Sequence, residues 1–395
     1  MTVGSLVSGP SAGGSFWNDQ RFRGIVAQAL IMGLLGMLLY LVVTNTIHNL
    51  EQRNIASGFG FLSFPAGFEI QMSLIPYASE STHARVFLVG LINTLFIAVI
   101  GCFFATILGF VLGIARLSGN WLLSNIIYWF VEFARNVPLL LQIFFWYAIF
   151  LKLPEWRESF ELGTNSYLNN RGLFTPAPVL GDAFDYVWIA LIVAIAVAWG
   201  VARWAKKRQD ATGQTFPAFW VGLGMIILLP LAVYYASGSP MEWQEPTRTR
   251  FNLRGGMQIA PEFMAMLLAL SLYTAAFISE IVRAGILSVS KGQQEAANAL
   301  GLKPNWTMRL IIVPQAMRVI IPPLASQYMN LTKNSSLGFA IGFPELMAVF
   351  GGISLNQTGQ AIECMAIVMA TYLVISLTIS AFMNWYNARV KLVER

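Results

Sequence analysis

The chain has 395 residues, of which 56% are hydrophobic and only 11% charged, with a formal net charge of +6. Soluble proteins carry about 25% charged residues, so this composition excludes an ordinary soluble domain and points to helices in a bilayer. The basic residues are spread over the loops rather than gathered in one patch, which excludes nucleic acid as a partner.

A Gly/Ser-rich tail over residues 1–23 ends in Arg21 and Arg23 and is expected to be disordered. The first apolar run, about 25–44, is long enough to span and is read as a retained helix rather than a cleaved leader. A polar loop leads to a second span at about 86–114. Gly90 and Asn93-Thr94 open it, and Gly101, Gly109 and Gly113 supply small surfaces for close helix packing. In the next segment, 120–135, Glu132 and Arg135 are spaced for an i,i+3 ion pair on a surface turn. Pro138 then starts a third span at about 137–151.

Residues 152–185 and 237–258 read as polar loops around two spans, about 186–202 and 216–236, joined by a basic segment at 203–208. Another span covers about 260–286, and one at about 305–331 is loosened by Pro314 and the pair Pro322-Pro323. Residues 337–350, broken at Gly342-Phe343-Pro344, read as a half-helix that does not cross. A polar stretch at 351–363 precedes the last span, about 364–386. The reading is an all-α polytopic membrane protein with about eight transmembrane helices. With the N-terminus inside, fifteen Lys and Arg fall on the inner side and nine outside, which favours cytoplasmic N- and C-termini. The outer cluster Arg248, Arg250 and Arg254 runs against that bias.

Enzyme chemistry finds little footing. Gly-Lys occurs nowhere, so there is no phosphate-binding G-x-x-x-x-G-K-[ST] loop. Gly9-Pro10-Ser11-Ala12-Gly13 matches G-x-S-x-G by letter only, in the tail, with no strand or helix beside it. Two histidines, His48 and His83, are too few for a His-ligated metal, and Cys102 and Cys364 sit inside apolar runs as small hydrophobes. No metal and no cofactor are expected in the chain itself.

Polar groups within membrane segments carry functional weight. They are Asn93, Gln142, Glu280, Arg283, Gln327, Asn330, Lys333, Asn334, Ser335, Ser336 and Glu345. Glu280 and Arg283 read as a local ion pair at the interface. Ser335 or Ser336 is expected to cap the half-helix, turning its N-terminal amides to the protein centre, where they favour an anion. On that reading Asn334, Ser335, Ser336, Gln327 and Asn330 line a translocation path; the alternative is a cap at the outer surface that meets water.

The most ordered stretch is 280–336. Ser290 and Gln293 form a capping-box pattern, a helix follows over about 291–300, Gly301 suits the left-handed position beyond it, and Pro304 ends it. Such a helix is too short to stand alone in water, so it must dock. On spacing alone it docks on its own membrane domain or, through the small face Ala296, Ala297 and Ala299 with Glu295 and Lys291 at the rim, in another protein's groove.

Glu295-Ala296-Ala297, Gly301, Ile311 and Pro314 resemble the EAA signature of permease subunits of binding-protein-dependent ABC transporters, departing only at Val313, where Leu is usual. The resemblance implies that this is the coupling helix seated on an ATPase subunit, with those six residues as the coupling set. Residues 133–142, 314–318 and 333–337 are similar to the polar amino-acid branch, the histidine/glutamine permease type. An extra N-terminal span and an insertion at about 152–258 carrying two helices resemble the larger permease of general L-amino-acid importers. The resemblance implies a type I (MetI-like) permease core at 86–389, flanked by 1–85 and a tail at 390–395. It also implies a subunit that translocates L-amino acids across a bacterial inner membrane. Its partners would be the lipid bilayer, an ATPase subunit dimer that binds the ATP, a second homologous permease and a periplasmic amino-acid-binding protein. An ion-gradient-driven secondary transporter is the rival; broken helices suit it, the EAA spacing does not.

Overall fold

The computed structural model describes residues 20–52, 57–163, 165–250 and 252–390. Of the tails expected at 1–23 and 390–395, residues up to 19 and from 391 lie outside the described residues, whereas 20–23 already belong to the first helix and 390 to the last. Helix α1 (Gln20–Gln52) is apolar all round, and none of its spanning window is buried. Helix α2 (His83–Ala115) is followed by α3 (Trp121–Asn136) and α4 (Leu139–Leu151).

The third crossing differs from the single span expected at 137–151. With 13 residues, α4 is roughly 20 Å long, short of the ~30 Å hydrocarbon core. It forms one arm of a pair with α3, bent by 106°. The break has a local cause. Pro138 lacks an N–H and disfavours helix at the residue before it, and Val137 is extended at φ −88°, ψ 127°. Gln142 mends the corner: its Nε2 donates to the carbonyls of Ala134 (2.8 Å) and Val137 (3.0 Å).

The polar loops of the insertion also hold more order than the sequence announces. Strands β1 (Phe160–Glu161), β2 (Tyr167–Asn169), β3 (Gly172–Thr175) and β4 (Ala177–Leu180) precede α5 (Asp185–Thr212) and α6 (Ala218–Ala236). Strands β5 (Met241–Gln244), β6 (Thr247–Arg248), β7 (Leu253–Arg254) and β8 (Met257–Ile259) follow. One antiparallel sheet has the order β1-β2-β3-β8, with Leu173 opposite Ile259 and Thr175 opposite Met257. The two ends of the insertion are thereby tied together. Pairing of β4 with β5 extends the α5–α6 hairpin outward.

Helix α7 (Pro261–Leu287) is the centre of the molecule, packed on α2 and α4. Small residues explain the closeness. A Cβ on Gly109 would lie 2.5 Å from Ile278 Cγ2, and one on Gly113 2.7 Å from the Ser279 carbonyl. Beyond α7 come α8 (Lys291–Ala299), α9 (Pro304–Thr307), a π-helical turn (Met308–Ile312) and α10 (Val313–Asn334), which also packs on α7. Pro314 cannot donate to the carbonyl four residues back, and the ladder widens into the π turn just before it. A 3₁₀ segment (Ser335–Ile341) continues α10 directly. Gly342 turns the chain at φ +79°, a π-helical segment (Met347–Ser354) and α11 (Leu355–Thr358) follow, and α12 (Ala361–Val390) closes the chain. The polar stretch expected at 351–363 is therefore mostly helix, with Gly351, Gly352 and Ser354 buried. Among the described residues, seven helices are long and apolar enough to cross a membrane, eight spans with the bent pair counted as one.

Candidate functional site

At one end of α7 stands α8. Its exit is a complete Schellman turn: the Leu302 N–H donates to the Ala297 carbonyl (3.1 Å) and the Gly301 N–H to that of Asn298 (2.9 Å). Gly301 holds φ +71°, which an L-residue adopts at a cost of roughly 1 kcal/mol or more. The capping box is not formed. Ser290 begins the helix through its carbonyl, which accepts from the Gln293 N–H (3.1 Å), with no side-chain cap; the exposed first turn leaves its amides to water.

Only Ala297 is buried on α8; the rest of the helix is exposed, and Leu300 to 80%. Its main contacts within the chain are with α9 and the π turn. The six motif residues divide accordingly. Ala297 and Gly301 fix the helix to its stem, half-buried Ile311 lies in the π turn and exposed Pro314 begins α10, while Glu295 and Ala296 face outward.

The end of α7 that leads into α8 carries an ion network larger than the local pair expected. Glu280 is held by Arg116, by Arg283 at 3.1 Å and by Arg135 at 3.7 Å, and Arg135 also lies 3.7 Å from Glu132. One carboxylate therefore joins the ends of α2, α3 and α7. Burial first, and the Arg283 cation second, hold the Arg116 guanidinium below its usual range, though arginine remains charged in proteins.

Inside the membrane domain, Ser335 and Ser336 do not cap a new helix. Their hydroxyls donate back to the carbonyls of Thr332 (2.7 Å) and Lys333 (2.8 Å), so the chain runs on from α10 and frees no amides. Ser335 is buried, whereas Gln327, Asn330 and Asn334 form an i, i+3, i+7 stripe on α10, with Asn330 exposed and the other two half-buried. The cap falls instead to Glu345, which is fully buried. Its carboxylate accepts the Met347 and Ala348 N–H groups, both at 2.7 Å, and the Tyr372 hydroxyl at 2.9 Å. Thr94 Oγ1 accepts the Leu346 N–H (3.0 Å), and Asn93 Nδ2 donates to the Pro344 carbonyl (2.8 Å). The signal was in the sequence: an acidic residue directly after Pro344, where helix starts favour negative charge. Among the described residues no cluster of three His, Cys, Asp or Glu could hold a metal ion.

The profile described as the binding-protein-dependent transport system inner membrane component matches residues 211–392. The general L-amino acid transport system permease AapQ of Rhizobium johnstonii is 53% identical over 378 residues, 95% of this chain and 94% of AapQ. The amino-acid ABC transporter permease protein YhdX of Escherichia coli K12 is 48% identical over 94% of both chains. BztB of Rhodobacter capsulatus, a permease of a glutamate/glutamine/aspartate/asparagine transport system, is 42% identical over 95% of this chain and 96% of its own.

Proposed function

We infer the function of this chain from the family to which it belongs, the inner-membrane permease components of binding-protein-dependent ABC transport systems. The chain is the membrane permease subunit of an ATP-driven L-amino-acid importer. Relatives matched almost end to end carry amino-acid transport in their names, and none of those names supports the ion-gradient-driven secondary transporter. A separate ATPase dimer binds and hydrolyses the ATP, a second homologous permease completes the membrane unit, and a periplasmic binding protein delivers the amino acid. The excess of Lys and Arg on one side supports placing both termini and α8 in the cytoplasm.

The observation that carries this reading is α8 itself: a nine-residue helix left exposed on all but one residue. So short a helix is not stable alone, and the rigid Schellman exit and Ala297 leave its outer face free for a partner. Closure of the ATPase dimer would displace α8, and the π turn and α7 would carry that displacement into the spans. The partner must hold α8 differently in its two states for this to work. Gln327, Asn330 and Asn334 form a polar stripe that suits the path between the two permeases; Ser335 and Ser336 belong behind it as supports.

The test is co-purification. Tagged wild-type chain, gently solubilised, should bring down an ATPase subunit, and Glu295→Lys should lose it while still eluting as a folded permease. Retention of the ATPase by Glu295→Lys at wild-type level would remove α8 from the role.

A further inference from the structure

The α5–α6 hairpin of the insertion packs chiefly on itself and has no part in the coupling argument. Its two helices are unequal. Helix α5 has 28 residues and α6 has 19, roughly 42 and 28 Å, and only α6 matches the ~30 Å hydrocarbon core. They are level at the strand end, where the rings of Phe184 and Tyr234 lie 6.4 Å apart. Towards the other end Gly222 of α6 meets Ala198 of α5, and α6 begins one turn from there, at Ala218. Residues 203–212 of α5 therefore overhang the start of α6 by roughly 15 Å. Both helices cross the bilayer, so the overhang emerges opposite the strands, on the side where α8 stands.

All the charge of the hairpin sits on this overhang. Between residues 186 and 241 the only basic residues are Arg203, Lys206, Lys207 and Arg208, and the only acid is Asp210. Among the described residues none of the four cations is in an ion pair. Burial fixes the faces of α5. Ala190, Ala194 and Ala205 are its buried residues, on the side covered by α6 and the segment leading into it. At 100° per residue Trp199, Arg203, Lys206 and Lys207 share the opposite side, and all four are exposed. The Arg203 guanidinium lies 4.0 Å over the Trp199 ring. That of Arg208 lies 5.4 Å over Trp204 and donates to Gln214 Oε1 at 2.7 Å. Phe219 and Trp220 are exposed at the start of α6. Aromatic residues favour the boundary between hydrocarbon and water. These rings mark that boundary, and the cations stand just beyond it, at headgroup depth.

We propose that the overhang of α5 is a docking surface for anionic phospholipid, Arg203, Lys206 and Lys207 meeting headgroup phosphates while Trp199 sits at the top of the acyl chains. Cations beside an anionic leaflet each strengthen the attraction about fivefold, and their long stems reach the headgroups from a helix that continues past the hydrocarbon. An acidic protein surface would match the charges but would leave the aromatic residues behind them without an apolar partner. The proposal goes beyond the importer reading and does not depend on it. It gives the insertion a role as a lipid-anchored arm.

The test uses the full-length chain, with the subunits that co-purify, in nanodiscs of phosphatidylcholine holding a minor share of phosphatidylglycerol. Native mass spectrometry counts the lipids that stay bound. Wild type should retain phosphatidylglycerol in preference to phosphatidylcholine. Single Arg203→Gln, Lys206→Gln and Lys207→Gln changes should each lower that preference about fivefold, and the three together by tenfold or more. The triple variant, altered only at exposed positions, should melt with the wild type, and Arg203→Lys with Lys206→Arg and Lys207→Arg, which keeps every charge, should retain the preference. Wild-type retention by the triple Gln variant, or no preference in the wild type, overturns the proposal. Displacement of the lipid by millimolar inorganic phosphate assigns the cations to a soluble anion and overturns it. Loss of a co-purifying subunit from the triple variant with lipid retention unchanged assigns them to a protein partner and overturns it too.

Discussion

Two pairs of long apolar helices, α2 with α7 and α5 with α6, look alike in composition and differ in burial, most sharply between α7 and α6. Their most apolar windows have mean hydropathies of 2.7 and 1.8 for the first pair and 2.1 and 1.9 for the second. Yet 61% of the α7 window is buried and only 6% of the α6 window. The difference lies in residue size at the contact. Helix α7 buries Ala265, Ala269, Ala275 and Ala276, and α2 meets it at Gly109 and Gly113. Helix α6 instead exposes Leu228, Leu229 and Leu231, faces suited to lipid, and approaches α5 at Gly222, where an added Cβ would find Ala198 Cβ at 3.3 Å. Hydropathy places a helix in the bilayer; the positions of its smallest residues decide whether protein or lipid surrounds it.

The contrast breaks most visibly at Gly113. A valine there has nowhere to go, with the Ser279 carbonyl and Val282 Cβ at 2.7 and 2.8 Å from its Cβ alone. Gly113→Val should destabilise the permease by about 3 kcal/mol, the upper part of the usual overpacking cost. A wild-type melting curve in detergent would mean that α2 and α7 part more easily than their geometry implies. Next comes Glu345→Ala, which strips the acceptor from the buried Ala348 N–H, the half-buried Met347 N–H and the Tyr372 hydroxyl and should cost about 2–3 kcal/mol. Glu345→Gln, keeping one acceptor oxygen, should lose distinctly less, and equal losses for the two would deny the carboxylate its capping role.

Gly301→Ala should cost about 1 kcal/mol of backbone strain, confined to the α8 exit. The melting of the permease should stay nearly unchanged while ATP hydrolysis by the assembled complex falls out of step with uptake; normal coupling would show that the left-handed exit is dispensable. The smallest effect belongs to the insertion. Phe219→Ala, at a residue 72% exposed on α6, should change stability by no more than about 0.5 kcal/mol. A larger loss would turn α6 from a lipid-facing helix into an interface.

Much of the fold was legible because its signals are local. A run of twenty apolar residues spans wherever it occurs, and α8 is bounded by residues that act on their own backbone, above all Gly301. What was missed depends on partners distant in sequence or on a conflict between neighbours. Strands β3 and β8 are four and three residues long, and they pair across the whole α5–α6 hairpin, so neither shows an alternation long enough to read. The bend at Val137-Pro138 was visible as a proline, but only Gln142 reaching back to Ala134 and Val137 makes the corner stable inside the membrane domain. Ser335 and Ser336 carried a plausible capping pattern, yet the helix they were to start had not ended.

The sequence by itself determined the apolar spans, the coupling motif with its left-handed glycine, and the absence of a phosphate-binding loop, because each is a property of adjacent residues. Only the tertiary structure decided that the Tyr372 hydroxyl closes on the Glu345 carboxylate, that Arg116 and Arg135 join Arg283 around Glu280, and that Arg171 and Glu262 border one cavity. Those arrangements bring together side chains tens to hundreds of residues apart, and burial fixes their partners: a charge taken out of water must find its counterpart wherever the fold supplies one.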